Sequence, residues 1–261
     1  MNIIVCIKQV PDTTEVRLNP ETGTLIRDGV PSIINPDDKA GLEAALRLKD
    51  SCGAKVIVLS MGPLQAEEVL REAIAMGADD AYLISDRAFG GADTWATSAT
   101  IASAIRKIGD YDLIITGRQA IDGDTAQVGP QIAEHLGIVN ISYVEEIQMN
   151  GEYITVKRQY EDCYHILKAK MPCLITALAE LNKPRYMTPG GILDAYRNEK
   201  IKLITRADLD VEDCNIGLKG SPTRVFQSFT KEVKGKGTIV KLDPAESAGW
   251  LVEQLKEKNI L

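Results

Sequence analysis

Leu113-Ile114-Ile115-Thr116, followed by Gly117-Arg118-Gln119-Ala120-Ile121-Asp122-Gly123-Asp124-Thr125-Ala126-Gln127-Val128-Gly129, is the stretch that decides the fold. A short apolar run closed by glycine fits a central parallel strand, buried on both faces. Asp124 with Gln127 three residues later is a capping-box pattern, which predicts a helix beginning near Asp124 or Thr125. A loop between a parallel strand and a helix start lies at the carboxyl edge of the sheet, where open α/β folds bind ligands. Backbone N–H groups and the positive end of the helix dipole favour a phosphate there. Gly117, Gly123 and Gly129 would let backbone approach such a ligand, and Arg118 would add a charge-assisted bond. Asp122 and Asp124 oppose an anion unless Asp124 caps the helix and Asp122 bonds the loop backbone or a ribose hydroxyl. The alternative is an ordinary strand-to-helix turn whose glycines serve geometry alone.

Outward from this stretch, the upstream chain alternates strands and helices. Asn2–Val10, Ala54–Ser60, Asp80–Ser85 and Tyr111–Thr116 read as apolar strands. Helices are expected from Asn35-Pro36-Asp37-Asp38 to about Lys49, from Met61-Gly62-Pro63 to Gly77, and after Gly90-Gly91-Ala92-Asp93-Thr94, where Ile101, Ala102, Ile105 and Ile108 form a stripe. This order predicts an α/β fold with a doubly wound, mostly parallel sheet of βαβ units. The polar excursion between Pro11 and Pro36 carries a hairpin signal, Glu15–Leu18 and Thr24–Arg27. Downstream, Ile141–Met149, Tyr153–Gln159, Tyr164–Lys170 and Cys173–Ala177 are strand-like, with a turn at Asn150-Gly151. They are expected as antiparallel hairpin strands added to the same sheet. Thr188-Pro189-Gly190-Gly191 opens a short helix through Tyr196. The expected division is a nucleotide-binding domain over residues 1–195 and an extended C-terminal arm over 196–261. The arm holds strand-like pieces (Ile201–Thr205, Thr238–Leu242) and a helix from Pro244 with Ala248, Leu251, Val252 and Leu255 on one side. Unable to bury these residues itself, it is expected to lie on a partner chain, the alternative being its own sheet.

The 261 residues carry a net charge of −7, which argues against nucleic acid as the main partner. No apolar run reaches membrane-spanning length, so no membrane insertion is expected. The start, Met1-Asn2-Ile3-Ile4-Val5-Cys6, reads as a strand rather than a signal peptide. Five scattered cysteines (Cys6, Cys52, Cys163, Cys173, Cys214) without a C-x-x-C suit a reducing, cytoplasmic setting and no metal site. The two histidines, His135 on a helix and His165 on a strand, read as structural. There is no G-x-G-x-x-G, no Walker loop, no H-E-x-x-H and no G-x-S-x-G. Gly235-Lys236-Gly237-Thr238 lacks phosphate-loop spacing. The pairs Asp37-Asp38 and Glu145-Glu146 read as a helix start and a strand edge, and no residue is assigned a catalytic role. A nucleotide-binding sheet without chemical side chains suggests a carrier.

Several ordered motifs resemble one family. Val5-Cys6-Ile7-Lys8-Gln9-Val10-Pro11-Asp12, Asn35-Pro36, Met76-Gly77-Ala78-Asp79, Gly117 to Asp124 with Gln127, and Asn182-x-Pro184-Arg185-Tyr186 together look like the β subunit of electron transfer flavoproteins. The family's signature segment corresponds to Val156–Ala177, with Cys163 and His165 as departures. The resemblance implies an adenine-nucleotide α-hydrolase-like sheet and a heterodimer with an α subunit that carries its own FAD. It places this chain's nucleotide, FAD in electron-bifurcating members or AMP in housekeeping ones, on Cys6, Asn35, Pro36, Asp37, Asp38, Met61, Gly117, Arg118, Gln119, Ala120, Ile121, Asp122, Gly123, Asp124, Thr125, Ala126, Gln127 and Val128. AMP-binding relatives tend to carry Cys-Asn where this chain has Thr125-Ala126, and the smaller Ala126 leaves room for a longer FAD. The bifurcating reading is therefore expected: NADH as donor, ferredoxin or flavodoxin as one acceptor, and an acyl-CoA dehydrogenase, reached through the α-subunit FAD, as the other. The segment from Asn182 to Tyr196 aligns with the family's dehydrogenase-docking loop. Pro189 stands at its anchoring leucine, and Ile192 or Leu193 would take that part. The rivals are a housekeeping carrier with structural AMP and, of another class, an adenine-nucleotide-hydrolysing enzyme. The latter would need a glycine-rich loop after the first strand, where Gln9-Val10-Pro11-Asp12 stands instead.

Overall fold

The computed structural model describes residues 1–12, 31–197, 200–226, 237 and 239–261. In chain order the elements are β1 (Asn2–Cys6), β2 (Gln9–Pro11), β3 (Ser32–Ile34), α1 (Pro36–Cys52), β4 (Lys55–Met61), α2 (Glu67–Met76), β5 (Asp80–Ile84), α3 (Thr94–Ile108), β6 (Leu113–Gly117) and α4 (Val128–Leu136). They continue with β7 (Val139–Asn150), β8 (Tyr153–Gln159), β9 (Tyr164–Lys170), β10 (Cys173–Ala177), α5 (Pro189–Arg197), β11 (Ile201–Ile204), α6 (Gly217–Gly220) and α7 (Pro244–Glu257).

One nine-stranded sheet has the order β11-β5-β4-β1-β6-β10-β7-β8-β9. Its β4, β1, β6 and β10 pair in parallel, and β8 runs against both neighbours. The chain steps from β1 to β4 and β5 on one side, then crosses to β6 on the other, so the topological switch point falls between β1 and β6. Two apolar clusters cover the two faces. One joins Val5, Val58 and Ile115 to Leu42 and Leu46 of α1 and Leu70 of α2. The other joins Ile4, Ile57 and Ile114 to Ile101 and Ile105 of α3 and Ile132 of α4. This is the doubly wound arrangement expected, with antiparallel additions at one edge.

Four expectations change in detail. The first strand stops at Cys6, and Gln9–Pro11 leaves it to pair antiparallel with β3 as a separate ribbon. Cys173–Ala177 is not a hairpin strand. All five of its residues are buried, and it inserts in parallel between β6 and β7, where a run without alternation belongs. Ile201–Ile204 adds to the sheet beside β5, so the compact unit runs from Met1 to Phe226 rather than ending at 195. Within Thr238–Leu242, described from Ile239 on, no strand forms. The hairpin expected at Glu15–Leu18 and Thr24–Arg27 lies outside the described residues.

The second unit, Gln227–Leu261, contains α7. Asp243 caps it, accepting bonds from the Ala245 and Glu246 amides at 2.9 and 3.1 Å, and Pro244 opens its first turn. Leu251 and Val252 on its stripe are exposed. Among the described residues no helix is long and apolar enough to cross a membrane.

Candidate functional site

β1 and β6 end side by side at the switch point, and the chain leaving each is held by the start of α1. Burial of Asn35 and Asp38 is nearly complete. The Asn35 side chain does not cap its own helix. Its Nδ2 donates to the Gln119 carbonyl at 2.8 Å, and its Oδ1 accepts from the Ile121 amide at 3.1 Å. One amide thus satisfies a donor and an acceptor of the bend that follows β6. Asp38 accepts from the Lys8 amide at 2.8 Å and from the Gly117 amide at 2.9 Å. Burial pushes its carboxyl up to about 7, against the pull of these same backbone bonds. Burial likewise pushes the Cys6 thiol up to about 12, with the nearby Asp38 charge adding to it, so Cys6 is no nucleophile. Asp37 is also raised by burial, partly offset by Arg118.

The bend itself has an irregular backbone. The Gly123 and Asp124 amides both donate to the Ala120 carbonyl, and Asp124 and Ala126 take left-handed φ values of 50° and 52°. Two such residues cannot sit in a helix. The helix accordingly starts at Val128, not at Asp124 or Thr125 as the capping box predicted. The side chains of that box are engaged elsewhere. Asp124 Oδ1 accepts from Gln119 Nε2 at 2.9 Å, and Gln127 Oε1 accepts from Thr94 Oγ1 at 2.9 Å. The first turn of α4 therefore has no side-chain cap. Among the described residues, the amides of Thr125, Ala126, Gln127, Val128 and Gly129 donate to no other protein group. Pro130, next in line, has no N–H to satisfy.

The expected roles of the acids and glycines are revised. Asp122 is neutralised by Lys8, whose Nζ lies 2.6 Å from Oδ1 and 2.9 Å from Oδ2. Arg118 Nε lies 3.4 Å from Asp37 Oδ2, close enough to pair but without hydrogen-bond alignment, and both atoms are buried without a hydrogen-bond partner. Packing by itself requires Gly117 and Gly129 to be small. A Cβ on Gly117 would lie 2.1 Å from Asp38 Oδ1, and one on Gly129 would lie 2.5 Å from Thr116 Oγ1. Gly123 has open space around it.

The structure thus gathers Cys6, Asn35, Pro36, Asp37, Asp38 and the whole bend from Gly117 to Val128 at the ends of β1 and β6. Met61 sits one strand further along. It lines a recess of about 360 Å³ at the ends of β4 and β5, with Pro63, Ile84 and Phe89. Lys8, Thr94 and the Ala177 carbonyl, which accepts the Arg118 amide at 2.8 Å, also shape the site. The sequence reading placed Lys8 inside the first strand, yet its position as the first charge after an apolar run marked it as an edge residue. Thr94 and Ala177 carried no local signal.

A second surface lies on α5 and the segment before it. Arg185 donates to Glu43 Oε2 at 2.9 Å and to Asp50 at 2.8 Å. Burial would raise the Glu43 carboxyl, but bonds from Arg185 and Arg47 hold it below its ordinary value. α5 is fixed on α2 through Ala195, whose carbonyl accepts from Arg71 at 2.8 Å. Pro189, Ile192 and Leu193 all remain exposed.

Comparison with known proteins gives the chain a family. Residues 22–209 match the electron transfer flavoprotein domain family. The chain is 57% identical over 261 residues to the electron transfer flavoprotein subunit beta of Clostridium acetobutylicum, spanning 100% of both chains. It is 55% identical over 263 residues to the caffeyl-CoA reductase-Etf complex subunit CarD of Acetobacterium woodii, again 100% of both. It is 50% identical over 268 residues to the acryloyl-CoA reductase electron transfer subunit gamma of Anaerotignum propionicum, also 100% of both. The chain belongs to the electron transfer flavoprotein family, as a β-type subunit working in electron transfer.

Proposed function

We propose that this chain holds FAD at the 117–128 bend and serves an electron-bifurcating heterodimer with an electron transfer flavoprotein α subunit. The observation that carries the reading is the run of five amides, Thr125 to Gly129, with no acceptor among the described residues, ending on an uncapped helix N-terminus at the switch point. The residues present fit a phosphorylated adenosine. The amides supply donors for a phosphate, and Arg118, whose Nε faces Asp37, stands alongside. Of the bend's carboxylates, Asp122 is neutralised by Lys8, and Asp124 accepts from Gln119. The apolar recess by Met61 suits a flat ring.

FAD is favoured over AMP by Ala126. Its left-handed backbone is one that asparagine tolerates better. A methyl group kept there at some cost in strain leaves the space beside the bend open for a longer ligand. When bound, FAD supplies acceptance of an electron pair from NADH and its release as single electrons to ferredoxin or flavodoxin and, through the α-subunit FAD, to an acyl-CoA dehydrogenase. The side chains of this chain bind and orient. Asn35 and Asp38, at the start of α1, fix the bend, and Lys8 removes the charge of Asp122.

The exposed Ile192 and Leu193 of α5 are the proposed dehydrogenase contact, and the apolar stripe of α7 the proposed contact with the α subunit. Two of the relatives are named as parts of acyl-CoA reductase systems, which fits such a partner. The test is NADH oxidation by the purified α/β pair. Turnover that requires both the low-potential acceptor and the acyl-CoA dehydrogenase is expected. A pair inert to NADH would leave the housekeeping carrier with AMP as the better reading.

A further inference from the structure

Asp38 stands among the cofactor residues implied by family resemblance, yet both its oxygens are turned to backbone. Oδ2 takes the Lys8 amide at 2.8 Å and Oδ1 the Gly117 amide at 2.9 Å. These amides belong to two different strand ends, β1 and β6, which flank the switch point. The side chain is 6% exposed, and Gly117 approaches so closely that a Cβ there would meet Asp38 Oδ1 at 2.1 Å.

We infer that Asp38 is the positioning residue of this site: its carboxylate clasps the Lys8 and Gly117 amides at once and so fixes the gap between β1 and β6 across which the nucleotide lies. The inference rests on the nucleotide reading proposed above. A carboxylate is suited to this because it accepts at both oxygens and donates nothing. An amide in its place would set an N–H against one of the two strand ends. The titratable and charged groups around Asp38 are Asp37 on α1, Cys6 and Lys8 at the end of β1, and Arg118 and Asp122 on the bend. Lys8 and Asp122 neutralise each other, so none of these offers Asp38 a direct counter-charge. Burial raises its carboxyl to about 7, so the closed clasp binds a proton more tightly than an opened, hydrated one. As pH rises through that value the buried charge opposes closure and the nucleotide leaves more readily.

The test uses the intact α/β complex. Release of the nucleotide bound to this chain is followed on either side of about pH 7. Unaltered protein is expected to release it faster on the alkaline side. Asp38→Asn, nearly isosteric, is expected to release it about tenfold faster than unaltered protein on the acid side, from the loss of one backbone bond, and to lose the pH dependence. Wild-type release rates and pH dependence in Asp38→Asn would overturn the inference. Should that variant not fold, hydrogen exchange on the unaltered complex reads the same clasp. The amides of Lys8 and Gly117 are expected to lose protection on the alkaline side while those of β4 do not, and equal behaviour of the two sets would overturn it. If the complex contains no nucleotide in this chain, the functional reading fails, whereas the exchange experiment still decides on the clasp.

Discussion

α1 holds two neighbouring segments by different means. At its start, Asn35 and Asp38 bond the backbone of the 117–121 stretch. Further along, Glu43 takes both the backbone amide and the guanidinium of Arg185, which leads into α5, and Asp50 takes the guanidinium. Backbone bonds at three residues, Gly117, Gln119 and Ile121, fix the path of the bend whatever side chains it carries. The bonds at Arg185 fall on one residue and leave its neighbours free. The bend is therefore shaped to present amides, and the 182–197 segment to present side chains. That is the difference between a site for a phosphate and a site for another protein.

The comparison is broken most severely at Gly117. Gly117→Ala places a Cβ 2.1 Å from Asp38 Oδ1, and either α1 or β6 must shift. A loss of about 3 kcal/mol is expected, with nucleotide lost in the same variant, as read by denaturant unfolding and extraction. A stable, nucleotide-loaded Gly117→Ala would mean that the clasp of α1 on β6 is loose. Next comes Arg185→Ala. It leaves Glu43, 4% exposed, without its main partner. The Arg185 side chain is 32% exposed, so solvent tempers the loss, and about 2 kcal/mol is expected with nucleotide retained.

Ala126→Asn sharpens the comparison at smaller cost. Asparagine relieves the left-handed backbone, so stability is expected to rise by up to about 1 kcal/mol. FAD in this chain is expected to fall in favour of AMP. Unchanged FAD content would show that Ala126 does not set the ligand's length. Leu193→Asp is expected to change stability by no more than about 0.5 kcal/mol, since the residue is 51% exposed. Electron exchange with an acyl-CoA dehydrogenase should weaken without loss of nucleotide, and unchanged exchange would count against α5 as the docking element.

The sheet was legible in the sequence because apolar runs in buried parallel strands depend on little else. Tyr153–Gln159, Tyr164–Lys170 and Cys173–Ala177 were read to the residue, and their order in space was not. Nothing local in Cys173–Ala177 says that it returns between β6 and β7. The bend was found, but its helix start was misplaced by about one turn. Asp124 and Gln127 have the composition of a cap, and only the distant Thr94 and the left-handed Ala126 show that they do another job. The α1 acids were read as a plain helix start. Their bonds to Lys8 and Gly117 span 30 and 79 residues, beyond any spacing rule.

The most direct measurement is the cofactor content of the α/β pair purified without added nucleotide. The account predicts two FAD per pair, one of them lost from this chain when the 117–128 bend is disrupted. One FAD together with AMP would contradict it.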